Sequence, residues 1–329
     1  MKKLIIVVLL LFASSAIFAQ VAVAPLTVSV SKLTTVAPFT LSGKSNLVIS
    51  GDNITGGKIG IQLNNCSNIT ITNCQFQGQT LFAIYLLGCS NITIKNNYVA
   101  NVGAGIYVQL CTGGINVSSN YMLNMKGPLP HADFIQFAAS NGPGNLIANN
   151  CLEDIAGQSN PEDAINLYQC NGTAASPITV TGNFIRGGGP STTGSGITVG
   201  DQGGSYETIT NNTIINTGYV GMQVAGGTYI TMTNNNIYSS AFPYSHLGLG
   251  YGNYSGAPSN NVTIANNNIS WMSALPSDLK GRPAGTTQVE FDKSYQSTLT
   301  QPTGWNTNVT VSPLPATSPL LTSSLVVLR

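Results

Sequence analysis

Eleven Asp and Glu residues in a chain of 329 are few enough to follow one by one, and their spacing is uneven. None lies between Asp52 and Asp133. Six then fall within 133–201, namely Asp133, Glu153, Asp154, Glu162, Asp163 and Asp201, and Glu207 closes the stretch. From 59 to 270 the basic residues are Lys95, Lys126 and Arg186, and the two histidines of the chain are His131 and His246. Carboxyls gathered in this way suit proton transfer, because two that are close together cannot both ionise freely and so separate into an acid and a base. The same oxygens also suit a hard cation such as Ca2+.

Which carboxyls meet depends on the elements that carry them. Short segments of alternating apolar residues recur as GIQL (60–63), AIYL (83–86), GIYV (105–108), FIQF (134–137), AINL (164–167), GITV (196–199), GMQV (221–224) and GLGY (248–251). Alternation is the period of a strand. Each segment is followed by a second: TITNCQF (70–76), TIKNNYV (93–99), NVSSNYM (116–122), LIANNCL (146–152), TVTGNFI (179–185), TITNNTI (208–214), TMTNNNI (231–237) and TIANNNI (263–269). The fifth place holds Asn97, Asn120, Asn150, Asn183, Asn212, Asn235 and Asn267, with Cys74 in the first copy and Asp52 in a weaker one (48–54). Copies 22 to 33 residues apart without helical periodicity predict a solenoid of short strands. The Asn positions read as structural, since Asn tolerates left-handed backbone and stacked amides bond to one another.

The register of such a solenoid aligns the charges. Asp133 lies two residues before Ile135 and Asp163 two before Ile165, so they should be neighbours along the axis, with Glu162 beside them. The loops entering these coils are long: 15 residues from Asn120 to Ile135 and from Asn150 to Ile165, against 9 from Asn97 to Ile106. Long loops on one edge of a rigid scaffold build a cleft wall. The expected catalytic set is Asp133, Asp163 and His131, with Glu162, Gln136, Asn166, Tyr168, Lys126, Arg186, Ser195, Asp201 and His246 as substrate contacts. Two structural readings stand beside it: Ca2+ held by Asp133, Glu162 and Asp163, or Asp residues that only satisfy turns. Cys66, Cys89, Cys111 and Cys170 each follow an inward Ile by five residues and share one turn. Coils about 4.8 Å apart allow either disulfides or a ladder of buried thiols there.

The order GI-x-L, turn, I-T-I, N-N, x-I and variable loop resembles the pectate-lyase-like right-handed β-helix superfamily over roughly residues 45–272. The resemblance implies an all-β, single-stranded parallel β-helix with three strands per coil, roughly nine to ten coils, and an Asn ladder at the bend between the second and third strands. Polygalacturonase-type glycoside hydrolases resemble the acidic stretch more closely. Their Asn-Thr-Asp-Gly motif is similar to 131–134, which places Asp133, and their acidic pair is similar to Glu162-Asp163. Where they have Gly-His-Gly this chain has Gly194-Ser195-Gly196, and where they have Arg-Ile-Lys it has Gln223-Val224-Ala225. Loss of those cations removes the usual grip on a uronate carboxylate.

The remaining composition sets the context. Met1-Lys2-Lys3, the apolar run 4–12 and the small residues 13–19 read as a secretory leader, so a secreted or periplasmic protein is expected. Residues 20–44 read as a cap or first coil, 45–272 as the β-helix, and the Pro-rich 273–329 as a C-terminal cap with an irregular tail. With 7% charged residues and a net charge of +1, nucleic acid is excluded as a partner, and no later segment is long and apolar enough for a membrane span.

The expected partner is a polysaccharide or oligosaccharide, acted on by a monomer, with Ca2+ as the one cofactor candidate. Three functions fit. A polysaccharide-degrading enzyme would be either a hydrolase using Asp133 and Asp163, or a lyase holding Ca2+ and using Arg186, Lys126 or His131 as base. A non-catalytic glycan-binding surface protein would stack sugars on Tyr85, Tyr107 and Tyr168. An ice-binding protein would use the T-x-T pairs Thr70/Thr72, Thr179/Thr181, Thr208/Thr210 and Thr231/Thr233.

Overall fold

A computed structural model of the chain describes residues 26–28, 33–127, 132–240, 242–272, 289–294, 296–310 and 326–328. The expected leader (1–19) lies outside the described residues, as do His131 and parts of both expected caps (20–25, 29–32, 273–288 and 311–325). Short strands wind into a right-handed parallel β-helix. One coil is built from Ala104–Gln109, Asn116–Ser118 and Tyr121–Met125, and the next from Ile135–Ala138, Leu146–Ala148 and Cys151–Glu153. Each strand pairs in parallel with its counterpart one coil on, giving three sheet faces, of which the first and second are joined in one 19-stranded sheet and the third is an 11-stranded sheet. Ser195–Thr210 passes without a break from the first sheet into the second.

The register makes columns of like residues. Ile106, Ile135, Ile165, Ile197, Met222 and Leu249 follow one another as strand neighbours on the first sheet and are buried throughout. Each such side chain contributes about 1.5–3 kcal/mol on burial, and a one-residue slip would turn the whole column outward.

The bend between the second and third strands explains the paired asparagines. The first of each pair takes the left-handed conformation: Asn96 at φ 55°, Asn149 at 55°, Asn211 at 59° and Asn234 at 58°, with Gly182 and Ser119 in the same role. The second of each pair turns inward and forms the ladder. Asn120 Oδ1 accepts from Asn97 N and Nδ2 at 3.0 Å, while Asn120 Nδ2 donates to Ile94 O at 2.9 Å and to Asn150 Oδ1 at 3.0 Å. Left-handed tolerance and amide stacking, both assigned to the ladder Asn from sequence, thus belong to adjacent residues. The ladder runs on through Asn183, Asn212, Asn235 and Asn267 to Asn308, beyond the last repeat visible in the sequence.

The bend between the first and second strands has its own ladder, of thiols. Cys66 N donates to Cys89 Sγ at 3.4 Å, Cys89 N to Cys111 Sγ at 3.3 Å, and Cys111 N to Ser140 Oγ at 3.2 Å. All six cysteines are buried and free. Of the two readings open at this turn, the thiol ladder is the one present.

Paired strands continue on both sides of residues 45–272, on the N-terminal side within the segment read as a cap or first coil. Phe39–Ser42 already pairs with Ile59–Asn64. At the other end Val289–Phe291 pairs with Leu247–Tyr251, and Val309–Thr310 with Asn268–Met272. Within the stretch read as a cap, the described residues therefore add a further partial coil.

Candidate active site on the first sheet

Outward residues of the first sheet stack as the inward ones do, and in the middle coils they are polar. Asp133 and Asp163 stand two residues ahead of the paired Ile135 and Ile165, and Asp163 N donates to Asp133 Oδ1 at 2.9 Å. Ser195 holds the same place one coil on and donates to Asp163 Oδ1 from both N and Oγ at 2.6 Å, joined by Thr198 Oγ1 at 3.0 Å. Gln223 Nε2 extends the chain to Thr198 Oγ1 at 3.1 Å. Asn166 Nδ2 bridges two carboxylates, donating to Asp163 Oδ2 at 2.7 Å and Asp201 Oδ2 at 3.1 Å.

Asp201 reaches this face because the strand breaks its alternation. Asn166 pairs with Thr198 and Tyr168 with Asp201, so three steps on one strand match two on its neighbour. The extra residue is a β-bulge, which reverses the direction of every side chain beyond it until the count is restored. Without it, Asp201 would face the core. Gly200 makes the bulge possible: its φ is +62°, and a Cβ there would lie 2.2 Å from Gly226 O. The bulge aims Gly200 N inward, where Glu207 Oε2 accepts it at 2.8 Å. Glu207 occupies a core position between Ile178 and Ile230, only 1% exposed.

The carboxyls differ in proton affinity. Burial, then repulsion from Asp163, holds Asp133 well above the usual carboxylate range. Burial also raises Asp163, to about 6, against the pull of Ser195 and Asn166. Asp201 is raised by burial, less deeply set than the other two.

A cleft of about 620 Å³ opens over this network. It brings together Asp133, Gln136, Glu162, Asp163, Asn166, Tyr168, Asp201 and His246 from the expected set. Ser195 stands behind the wall as a donor to Asp163. Lys126 and Arg186 are not brought to the cleft. Arg186 lies on the third sheet beside Glu153, its Nε donating to Glu153 Oε1 at 2.9 Å, and Lys126 Nζ donates to Gln158 O. They follow the ladder bend instead of preceding the first strand, so the coil carries them to another face. His131 lies outside the described residues.

Among the described residues no group of three or more His, Cys, Asp or Glu side chains is placed to hold a metal ion. Asp163 is instead filled by N–H and O–H donors, and Glu162 accepts from Thr193 Oγ1.

Several cleft residues escaped the sequence reading. Thr192 and Thr193 come from the loop before Ser195, and Tyr219 stacks on His246 with ring centroids 4.4 Å apart. Glu290 and Asp292 close the far end from the partial coil past the last repeat. The alternation Val289-Glu290-Phe291-Asp292 is itself a strand signal that could have found them. Beside Gln136, its strand neighbour Tyr107 stacks on Phe82 at 4.9 Å, an aromatic platform next to the acidic network.

No described helix is long and apolar enough to cross a membrane. Residues 39–203 match the family model for a right-handed β-helix region. No curated protein matches the chain.

Proposed function

The chain belongs to the right-handed β-helix family, and from that premise we propose that it is an exported carbohydrate-active enzyme that hydrolyses glycosidic bonds in the first-sheet cleft. The observation that carries this reading is three carboxyls joined on one cleft wall: Asp163 N donates to Asp133, Asn166 bridges Asp163 and Asp201, and burial raises the proton affinity of all three. Asp133 donates that proton to the glycosidic oxygen as the bond to the sugar carbon breaks. Asp201, the less buried carboxyl, takes a proton from the attacking water, whose oxygen bonds to that carbon. Asp163 remains ionised between them, held by Ser195, Thr198 and Asn166, and keeps the proton affinity of Asp133 high. Two shorter saccharides leave, and both carboxyls re-equilibrate with solvent.

Release of reducing ends from a panel of polysaccharides tests the reading. Asp133→Asn should lower turnover by about 10²–10⁴-fold. Product absorbance typical of an unsaturated uronate would mean elimination instead. Binding without turnover by the native protein would favour a non-catalytic glycan-binding protein. A second reading, ice binding, draws on an unbroken column of Thr179, Thr208, Thr231 and Thr263 on the second sheet. Leu146 and Asn116, on the two coils before Thr179, interrupt that column, and thermal hysteresis measured on the purified protein decides it.

A further inference from the structure

The chemistry lining the cleft is one-sided. Asp133, Glu162, Asp163, Asp201, Glu290 and Asp292 contribute six carboxyl groups, and no Lys or Arg lines it among the described residues. Carboxyls by themselves specify no ligand, but two neighbouring amides do. Gln136 and Asn166 are strand neighbours on adjacent coils, 6% and 5% exposed, and both line the cleft. Gln136 Oε1 and Asn166 Oδ1 are buried without a hydrogen-bond partner. Asn166 commits its amino group to Asp163 and Asp201, which leaves its oxygen to be satisfied by something else. A buried polar atom left unpaired is costly and needs a reason.

Both orphaned atoms are acceptors, and so are the carboxylates around them. What the cleft lacks among its described lining is a Lys or Arg to donate from a positive charge. A uronate brings further acceptors and a negative charge, and a neutral sugar hydroxyl brings one donor with two acceptor lone pairs. An ammonium group brings three donors, no acceptor and a compensating charge. Adjacent coils are about 4.8 Å apart, so one ammonium seated between Gln136 and Asn166 can donate to both oxygens and face the carboxylates with its charge. We propose that the glycan taken by this cleft carries free, protonated amino groups, as a glucosamine polymer does, with the Gln136 and Asn166 oxygens receiving one ammonium. This rests on the carbohydrate reading above and names its sugar chemistry. The aromatic platform at Tyr107 and Phe82 would receive the apolar face of an adjoining sugar ring.

Calorimetric titration at mildly acidic pH, where the amines are charged, compares three probes of equal length: a glucosamine oligomer, its N-acetylated counterpart and an oligogalacturonate. The glucosamine oligomer should bind about tenfold or more tightly than the acetylated one, with an affinity that falls as salt rises, and the oligogalacturonate should not bind. Gln136→Leu, with folding checked by its melting temperature, should remove most of that preference. Equal or tighter binding of the acetylated or uronate oligomer, or no binding of any probe, overturns the proposal. The Asp133→Asn protein separates the two claims. Selective amine binding by it and by a wild type that releases no reducing ends would sink the hydrolase reading and leave the ligand class standing. Cleavage of a neutral or uronate polymer without amine preference would do the reverse.

Discussion

Asp133 and Asp163 share a hydrogen bond but titrate apart, and this has a kinetic signature. Asp163 must be ionised, so kcat/KM should climb as pH rises through about 6. Asp133 must be protonated, so activity should fall again at higher pH, where its raised proton affinity is overcome. Asp163→Asn removes the nearest negative charge from Asp133. Its proton affinity then drops, and the alkaline limb of the profile should move to lower pH, while an acid limb set by the general base Asp201 remains. A pH–rate profile with an unmoved alkaline limb would mean that Asp163 does not act on Asp133. The pairing of these two residues was legible from the sequence, because each lies the same two steps ahead of an inward Ile. The fate of Lys126 and Arg186 was not: proximity along the chain suggested the same cleft, whereas the bend after the ladder Asn carries them onto the third sheet.

At the scale of the strand, Ser195–Thr210 carries the least regular and most consequential geometry. The bulge at Gly200 leaves a backbone N–H pointing into the core, and Glu207 is the side chain that accepts it. Burial in an apolar column, against the pull of the Gly200 N–H, holds the proton affinity of the Glu207 carboxyl well above its usual range. Glu207→Leu should therefore cost about 1–3 kcal/mol for the abandoned N–H, read as a fall in melting temperature. Activity should fall further than that loss of stability accounts for, because Asp201 loses its aim. Glu207→Gln keeps an acceptor oxygen and should retain both. A strand count from sequence places Thr198 outward and Asp201 inward. Asp201 was expected at the cleft from its place in the acidic stretch, but the bulge that turns it there was hidden, because it is set by Gly200 and the close approach of Gly226, and neither interrupts the apolar pattern.

Among the described residues, the strands make most of their contacts with the adjacent coils, and each coil covers the next. The end of the solenoid is then a matter of stability, since an uncovered coil exposes core and unpaired backbone. Val289–Phe291 and Val309–Thr310 cap the coil that contains the fully buried Trp271 and Tyr251. A chain ending after Met272 should form soluble aggregates or melt at a lower temperature than the full chain; an unchanged elution volume and melting curve would contradict this. The fold was legible from the sequence because the strand pattern and the paired Asn repeat many times over. The last coil was not, because its strands are separated by long Pro-containing segments and its ladder residue, Asn308, stands in a single unrepeated copy.

The mismatch between Asn166–Tyr168 and Thr198–Asp201 also says something about how such a scaffold acquires new surfaces. Along a strand, inside and outside are a matter of parity. A change of one in residue number toggles the side chains that follow, with no change in their identity. Asp201 stands three steps after the outward Thr198 where regular pairing needs two, and it faces the cleft because Gly200 takes up the extra step; the same residues in unbroken alternation would turn it inward. A solenoid whose coils are pinned by two independent ladders can absorb such single-residue changes within one coil while its neighbours keep their phase. On this molecule, a functional carboxylate can be gained or lost through the backbone path alone, without any change in the amino acids that supply the chemistry.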